Sequence, residues 1–321
     1  MKKNCCILFN KPAENAGPDE LDILDQVMLV EQQLERLGID SFRKGITLDF
    51  FNEIESLGNS APDFIFNLVE SINNKGQLIY FAPAVLNMKA LPYTGCPLES
   101  IFITSNKQLA TKILKLGGVP TAGSRSPDAL ADMHYGRKYI IKPKWEDGSM
   151  GITSESVFTY SPDDETRIRE LHPGEWFIED FIDGREFNIS LYSGKDGAVI
   201  LPPAEIEFRN YSGDKPRIVD FKAKWDTGSF EYINTVRVFP KDIYHTGLFD
   251  RLSRICIDSW NILGLKGYAR IDIRCDSDSN PYVLEVNANP CISPDSGFIA
   301  ACHEAGEDLT DVFRYIINDL N

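Results

Sequence analysis

The sequence predicts an α/β chain, with α+β character in places, divided into three subdomains at residues 1–104, 105–182 and 183–321. Three observations carry this prediction. At 321 residues the chain exceeds what a single hydrophobic core normally organises. Its first third alternates short apolar runs with helix-period segments, the layout of an open α/β sheet. From Gly184 onward it becomes strand-rich and closes on two strands joined by a small polar turn.

The first element is the apolar run 5–9, read as a buried strand because five residues are too few for a signal segment or a membrane span. A polar turn around Pro12 and Gly17 follows. Leu21, Leu24, Val27, Met28, Leu34 and Leu37 then recur at a helical period, and Gly38 closes that helix. The run 64–68 after Pro62 is a second buried strand, and residues 91–95 end a further helical stretch. Ser105 is suited to cap the next helix, which carries Leu109, Ile113, Leu114 and Leu116 and stops at Gly117-Gly118. Short strands and turns alternate from there to Ile182. Strands then follow at 186–192, 198–201 and 204–208, before a long helix over about 242–263. The pair 267–274 and 282–286 completes the chain's sheet, with Asp276-Ser277-Asp278-Ser279-Asn280 as the hairpin turn. No internal repeat is visible.

Composition narrows the function. With 33 basic and 48 acidic residues the formal charge is −15, which repels a phosphate backbone and argues against nucleic acid as a partner. A nucleotide can still bind, because a few lysines inside a cleft act locally. The seven cysteines are odd in number and scattered, with no zinc-ligand spacing, which points to reduced thiols, a cytoplasmic location and no membrane partner.

The last strand pair carries the most chemistry. Asp272 on one strand and Glu285 and Asn287 on its neighbour offer three hard oxygen ligands of the kind Mg²⁺ prefers. Simple alternation on a solvated hairpin accounts for the two acids equally well. Arg270, two positions before Asp272, faces the same side and suits charge developing on a phosphoryl or tetrahedral oxygen. Upstream, a strand ends in Lys142 and passes into the turn Trp145-Glu146-Asp147-Gly148-Ser149-Met150-Gly151, whose backbone could cradle phosphates or form an ordinary surface turn. Glu179 and Asp180 sit among apolar residues ahead of Gly184-Arg185-Glu186, where they either bind an adenosine or simply alternate along an edge strand.

In order and spacing these pieces resemble the D-alanine:D-alanine ligases of the ATP-grasp superfamily. The resemblance spans nearly the whole chain and adds Pro92-Tyr93-Thr94-Gly95, Asn106-Lys107, Thr111-Lys112, Phe221-Lys222-Ala223-Lys224-Trp225 and the tail through Ser296. It implies an ATP-grasp fold with ATP held between two of three subdomains. Lys107 and Lys142 would contact phosphates, and Lys224 would reach the γ-phosphate from a mobile loop. Glu179, backbone groups of Asp180 and Ile182, and Glu186 would hold adenine and ribose. Asp272, Glu285 and Asn287 would hold two Mg²⁺ ions, with Mn²⁺ as an alternative, while Arg270 stabilises the transferring group and Ser149 closes the loop over the phosphates. A homodimer is also implied.

Several departures concern substrate. The family's Gly-Gly-x-Ser-x-Glu loop is absent, and Glu14 is a weak stand-in. The usual His-Gly segment reads Phe66-Asn67-Leu68-Val69-Glu70, so Asn67 and Glu70 either read the first substrate's amino group or serve as a cap and a surface acid. Trp225 replaces the lid tyrosine and Gly148 replaces a loop serine, so the family's hydroxyl network cannot form. Cys291 replaces the glycine whose N–H meets the oxyanion. Ser296-Gly297 matches the place that takes the carboxylate of the second amino acid. The resemblance therefore implies an ATP-dependent carboxylate-amine ligase. It would act through an acyl phosphate on small-molecule amino acids or peptides, not simply two D-alanines, with Glu70, Trp225, Cys291, Ser296 and Gly297 around the substrates. The rivals are a true D-alanine:D-alanine ligase, a ligase acting on a peptide or protein terminus, and a non-catalytic nucleotide-binding scaffold.

Overall fold

The computed structural model describes residues 3–59, 62–146 and 148–321; of the segments discussed above, Asp147 lies outside them. Strand β1 (Asn4–Asn10) buries its five central residues. It pairs in parallel with β2 (Asp40–Ile46) and β3 (Phe64–Leu68), and a central parallel strand covered on both faces must be apolar at every position. Helix α1 (Pro18–Arg36) makes the crossover and buries Val27, Val30 and Leu34 on one face of this sheet. Helices α2 (Phe50–Glu55) and α3 (Phe81–Met88) cover the other face through Ile54, Ala82 and Leu86.

Helices α4 (Leu98–Ser105) and α5 (Lys107–Leu116) follow. The cap expected at Ser105 moves by one residue. Asn106 takes the extended backbone and accepts from the Leu109 N–H at 3.0 Å, while Ser105 ends α4 by donating to the Phe102 carbonyl. Next come β4 (Ser124–Arg125), β5 (Lys138–Pro143), β6 (Val157–Thr159), α6 (Asp164–Arg169) and β7 (Trp176–Asp180). Their strands form an antiparallel sheet in the order β4-β7-β5-β6.

The remaining elements are β8 (Glu186–Gly194), β9 (Gly197–Ile200), β10 (Ala204–Phe208), α7 (Phe221–Trp225), α8 (Phe230–Asn234) and β11 (Thr235–Val238). After them come α9 (Leu248–Ile262), β12 (Tyr268–Cys275), β13 (Pro281–Asn287), α10 (Gly297–Ala305) and α11 (Leu309–Asn318). The helix expected from Asp242 starts later, because Gly247 takes a left-handed φ of 69° that interrupts it after a single 3₁₀ turn. Six strands form one antiparallel sheet in the order β11-β10-β8-β12-β13, with β9 beside β8.

Alternation gives that sheet two unlike faces. Phe187, Ile189, Ile271, Ile273 and Val286 face α4, α5 and α9 in one core. Glu186, Asn188, Arg270, Asp272, Arg274, Glu285 and Asn287 face a cleft. Helices α10 and α11 return to the first sheet, where Phe313 stacks on Phe66 at 5.7 Å. No helix among the described residues is long and apolar enough to cross a membrane.

Candidate active site

A cleft of about 1050 Å³ lies between the four-stranded and six-stranded sheets and is bordered at one end by the first sheet. The site residues singled out from the sequence line it, with the exception of Glu14 and Asn67, although they come from segments as far apart as Glu70 and Gly297.

At its centre are β12 and β13. Their register sets Asp272 opposite Glu285 and Arg270 opposite Asn287. An irregularity between Asp272 and Ile273 leaves Leu284 extra on β13 and aims it, with Glu285, into the cleft. Arg270 grips Asp272 with two bonds, Nε to Oδ1 at 2.7 Å and Nη2 to Oδ2 at 2.9 Å. Lys107 reaches in from the first turn of α5, with Nζ 3.3 Å from Glu285 Oε2 and donating to the Glu146 carbonyl at 2.7 Å. Burial pushes the Asp272 carboxyl above the usual carboxylate range, and Arg270 offsets only part of that. At Glu285 burial acts in the same sense, but Lys107 and Arg270 outweigh it and hold this carboxyl below the usual range. Two adjacent carboxyls of which one resists ionisation form a donor set that a divalent cation would satisfy. The amide of Asn287, whose Oδ1 accepts from the Asn289 N–H at 3.0 Å, adds a third hard oxygen. No group of three or more His, Cys, Asp or Glu side chains suited to a metal occurs among the described residues, so the asparagine is needed to complete this set.

Toward one end, Glu179 on β7 is fully buried. Its Oε2 accepts from Lys142 Nζ at 2.7 Å, whereas Oε1 has no hydrogen-bond partner among the described residues. Burial raises its pKa against the pull of Lys142. An orphaned buried acceptor beside a cleft calls for a donor on a ligand, and an amino group of adenine is such a donor. The backbone groups nearby are partly engaged. Asp180 donates its N–H to the Gly123 carbonyl at 2.9 Å, and its side chain accepts from Arg125 and Arg137. Glu186 accepts from Arg274 Nε at 2.9 Å, and the same guanidinium donates to the Ile182 carbonyl and to the Arg217 carbonyl. Arg274 was not singled out from the sequence. The period-two run Arg270, Asp272, Arg274 was the available signal.

Over this end lie the 148–152 turn and the 219–225 segment. Gly148 and Ser149 both have left-handed φ, 66° and 63°, the sharp turning that points successive N–H groups one way. Three bonds fasten turn to segment: Ser149 Oγ to the Val219 carbonyl at 2.7 Å, the Phe221 N–H to the Ile152 carbonyl at 3.2 Å, and Trp225 Nε1 to the Gly148 carbonyl at 2.9 Å. A hydroxyl network is thus replaced by an indole donor and backbone acceptors. Asp220 caps α7 and so fixes Lys224, whose Nζ stands 6.0 Å from the Trp225 ring.

At the opposite end Glu70 accepts from Gln26 Nε2 at 3.0 Å. Asn67 does not reach the cleft; its side chain accepts from the Val69 N–H at the strand end, and Glu14 is exposed outside. Cys291 donates its thiol proton to Asp22 at 2.9 Å, and burial followed by the Asp22 charge pushes the thiol up to about 12. It is no nucleophile at neutral pH. Ser296 caps α10 by accepting from the Ile299 N–H, and Gly297 opens that helix. Asp22 and Arg237 also line this end and carried no motif in the sequence.

A family model described as D-ala D-ala ligase C-terminus matches residues 135–318, more than half of the chain. "Uncharacterized protein y4sG" of Sinorhizobium fredii is 25% identical over 276 residues, 85% of this chain and 78% of its own. A D-alanine–D-alanine ligase of Erythrobacter litoralis is 26% identical over 273 residues, 81% and 78% of the two chains. Among solved structures, the VanG D-Ala:D-Ser ligase from Enterococcus faecalis superposes with a TM-score of 0.72 at 16% identity, over 99% of both chains.

Proposed function

We propose that this chain, which belongs to the D-ala D-ala ligase family and has its ATP-grasp fold, joins the carboxylate of one amino acid or small peptide to the amine of another, converting ATP to ADP and phosphate. The observation that carries this reading is the central cluster. Arg270 and Lys107 converge on the paired carboxyls Asp272 and Glu285, in the same cleft as the orphaned Glu179 oxygen. A pure nucleotide binder has no need of a guanidinium poised where phosphoryl charge moves.

In this reading Asp272, Glu285 and Asn287 would hold two Mg²⁺ ions, for which Mn²⁺ could substitute, and the bound metal would supply positive charge against the phosphates. Glu179 and Glu186 hold adenine and ribose, with the Asp180 carbonyl and the Ile182 N–H beside them. Lys107, Lys142 and Lys224 draw the phosphates into the cleft, and the Gly148-Ser149 turn covers them. A substrate carboxylate oxygen bonds to the γ-phosphorus as the bond to ADP breaks, and Arg270 stabilises the charge on the transferring group. The amine then bonds to the acyl carbon, a proton leaves the nitrogen, and phosphate departs. Arg270 and the backbone N–H of Cys291 face the oxyanion formed on the way. The fastened turn and lid keep water from the acyl phosphate meanwhile. Glu70 and Asp22 attract the ammonium of the carboxylate substrate, and Ser296 and Gly297 border the amine substrate.

The three subdomains, with ATP between the second and third, a cytoplasmic location suited to reduced thiols, and a homodimer complete the proposal. A second reading, D-alanine on both sides, is favoured by the similarity to the D-alanine–D-alanine ligase of Erythrobacter litoralis. Mixing the protein with ATP, MgCl₂ and panels of L- and D-amino acids and dipeptides, with ADP and phosphate measured, separates the readings. Release stimulated by mixed pairs supports the first; strong release with D-alanine alone supports the second; no stimulated release by any of them refutes both.

A further inference from the structure

We propose that Arg274 is a positioning residue that ties closure of the 216–225 lid to the nucleoside end of the cleft, an inference that rests on the nucleotide-binding part of the ligase reading. Arg274 stands near the end of β12, directly opposite Glu186 of β8; it lines the cleft and is 3% exposed. Its guanidinium lies 5.0 Å from the centre of the Phe181 ring and 5.9 Å from that of Phe208. Three acceptors converge on it. Nε and Nη2 approach Glu186 Oε2 at 2.9 and 2.8 Å, Nη1 donates to the Ile182 carbonyl at 2.9 Å, and Nη2 also donates to the Arg217 carbonyl. These acceptors belong to three parts of the fold: the start of β8, the connection into it from β7, and the lid. A planar fork of donors meets all three at once, which a single ammonium does not.

Two of the three acceptors belong to residues that hold the nucleoside in that reading. Both contacts to Glu186 fall on Oε2, which leaves Oε1 for a ribose hydroxyl. The third acceptor belongs to a stretch without structure of its own, since residues 216–219 join no helix or strand. Side chains hold its carbonyls instead, Arg274 at Arg217 and Ser149 of the phosphate turn at Val219. Burial alternates along it as in an extended chain, with Arg217 exposed and Ile218 and Asp220 buried. Ile218 lines the cleft between those two fastening points and so roofs it between the Glu186 end and the phosphate turn. A nucleoside beneath it touches Ile218 only while the lid is closed, and a contact made in one state alone is what lets a ligand shift an equilibrium. When the lid opens, Nη2 loses the Arg217 carbonyl and turns to Glu186, already 2.8 Å away, in competition with ribose. One guanidinium thus serves ribose binding and lid closure together.

The experiment compares wild type with R274K, which keeps a positive charge beside Glu186 and so keeps the fold, as a thermal melt verifies. Tryptic cleavage at Lys222 and Lys224 is timed without nucleotide and with MgADP at a concentration that calorimetry shows to be saturating for each protein. Lys195, in the exposed turn between β8 and β9, is the control site. MgADP should slow lid cleavage about tenfold or more in wild type and less than about threefold in R274K, with cleavage at Lys195 alike in both. R274K should also bind MgADP about tenfold more weakly. A purely structural role would instead speed cleavage at all three lysines, with and without MgADP, and that result would overturn the inference. Wild-type protection retained in saturated R274K, or MgADP binding to wild type without lid protection, would overturn the role of Arg274 and leave the nucleotide site standing. No MgADP binding to wild type would overturn both. Protection lost in R274K, in a protein that forms no C–N product with any amino-acid pair, would keep the inference and defeat the ligase reading.

Discussion

Replacing Trp225 with phenylalanine keeps a ring over Gly148 and removes one hydrogen bond, the 2.9 Å contact from Nε1 to the Gly148 carbonyl. The bonds from Ser149 Oγ to Val219 and from the Phe221 N–H to Ile152 remain, so the 219–225 segment stays predominantly closed. A net hydrogen bond contributes about 0.5–1.5 kcal/mol, which raises the open fraction by about 2- to 12-fold. Water gains access to the acyl phosphate in that proportion, since excluding water is what a closed lid contributes. The assay is the ratio of ADP formed to C–N product formed, with tryptic cleavage at Lys222 and Lys224 as an independent probe of lid opening. W225F should show excess ADP over product and faster cleavage there, while a tyrosine variant, whose hydroxyl cannot reproduce the indole geometry, should behave similarly. A coupling ratio of one with unchanged cleavage would refute the latch role of Trp225.

Other expectations follow from the same geometry. Arg274→Met leaves Glu186 buried without its partner and should destabilise the fold by about 3–5 kcal/mol, measured by denaturant unfolding; a loss below about 1 kcal/mol would mean that Glu186 is solvated and not held by Arg274. Cys291, with its thiol pushed up to about 12, should resist iodoacetamide at pH 8 in the native state and react only once alkali approaches that value or the protein unfolds; labelling at the rate of an ordinary exposed thiol would contradict the Asp22 contact. Glu179→Gln keeps an acceptor at the cleft but removes the charge that holds Lys142. It should raise the KM of ATP by about tenfold and leave the amine KM unchanged, and equal effects on both substrates would argue against an adenine role.

What could be read from the sequence was what local periodicity and turn chemistry encode. Alternation placed Arg270, Asp272, Glu285 and Asn287 on one sheet face because side-chain direction repeats every two residues, and the cross-strand register follows from the short turn between them. Glu179 stood out as an acid among apolar neighbours, and burial without a second partner is how the fold uses it. Element ends were less legible. Ser105 and Asn106 are both competent caps, and only the backbone angles at Asn106 decide between them; the start of α9 depends on the left-handed turn at Gly247. The far end of the cleft was least legible, because its contacts join remote segments. Cys291 meets Asp22 across 269 positions, and Arg237 reaches the first turn of α10 from the opposite edge of a sheet. No short-range pattern records such meetings, and for the same reason Asn67, three positions before Glu70 in the motif, turned out to serve its own strand end.

The most direct measurement counts ADP, phosphate and C–N product in one reaction with ATP, MgCl₂ and the amino-acid panel, for wild type beside a folded Asp272→Asn variant. The expected result is one of each product per turnover in wild type, with turnover falling by at least about 100-fold in the variant while its melting temperature is kept. ADP release without a C–N product in wild type, or undiminished turnover in Asp272→Asn, would contradict a carboxylate-amine ligase centred on Arg270, Asp272 and Glu285.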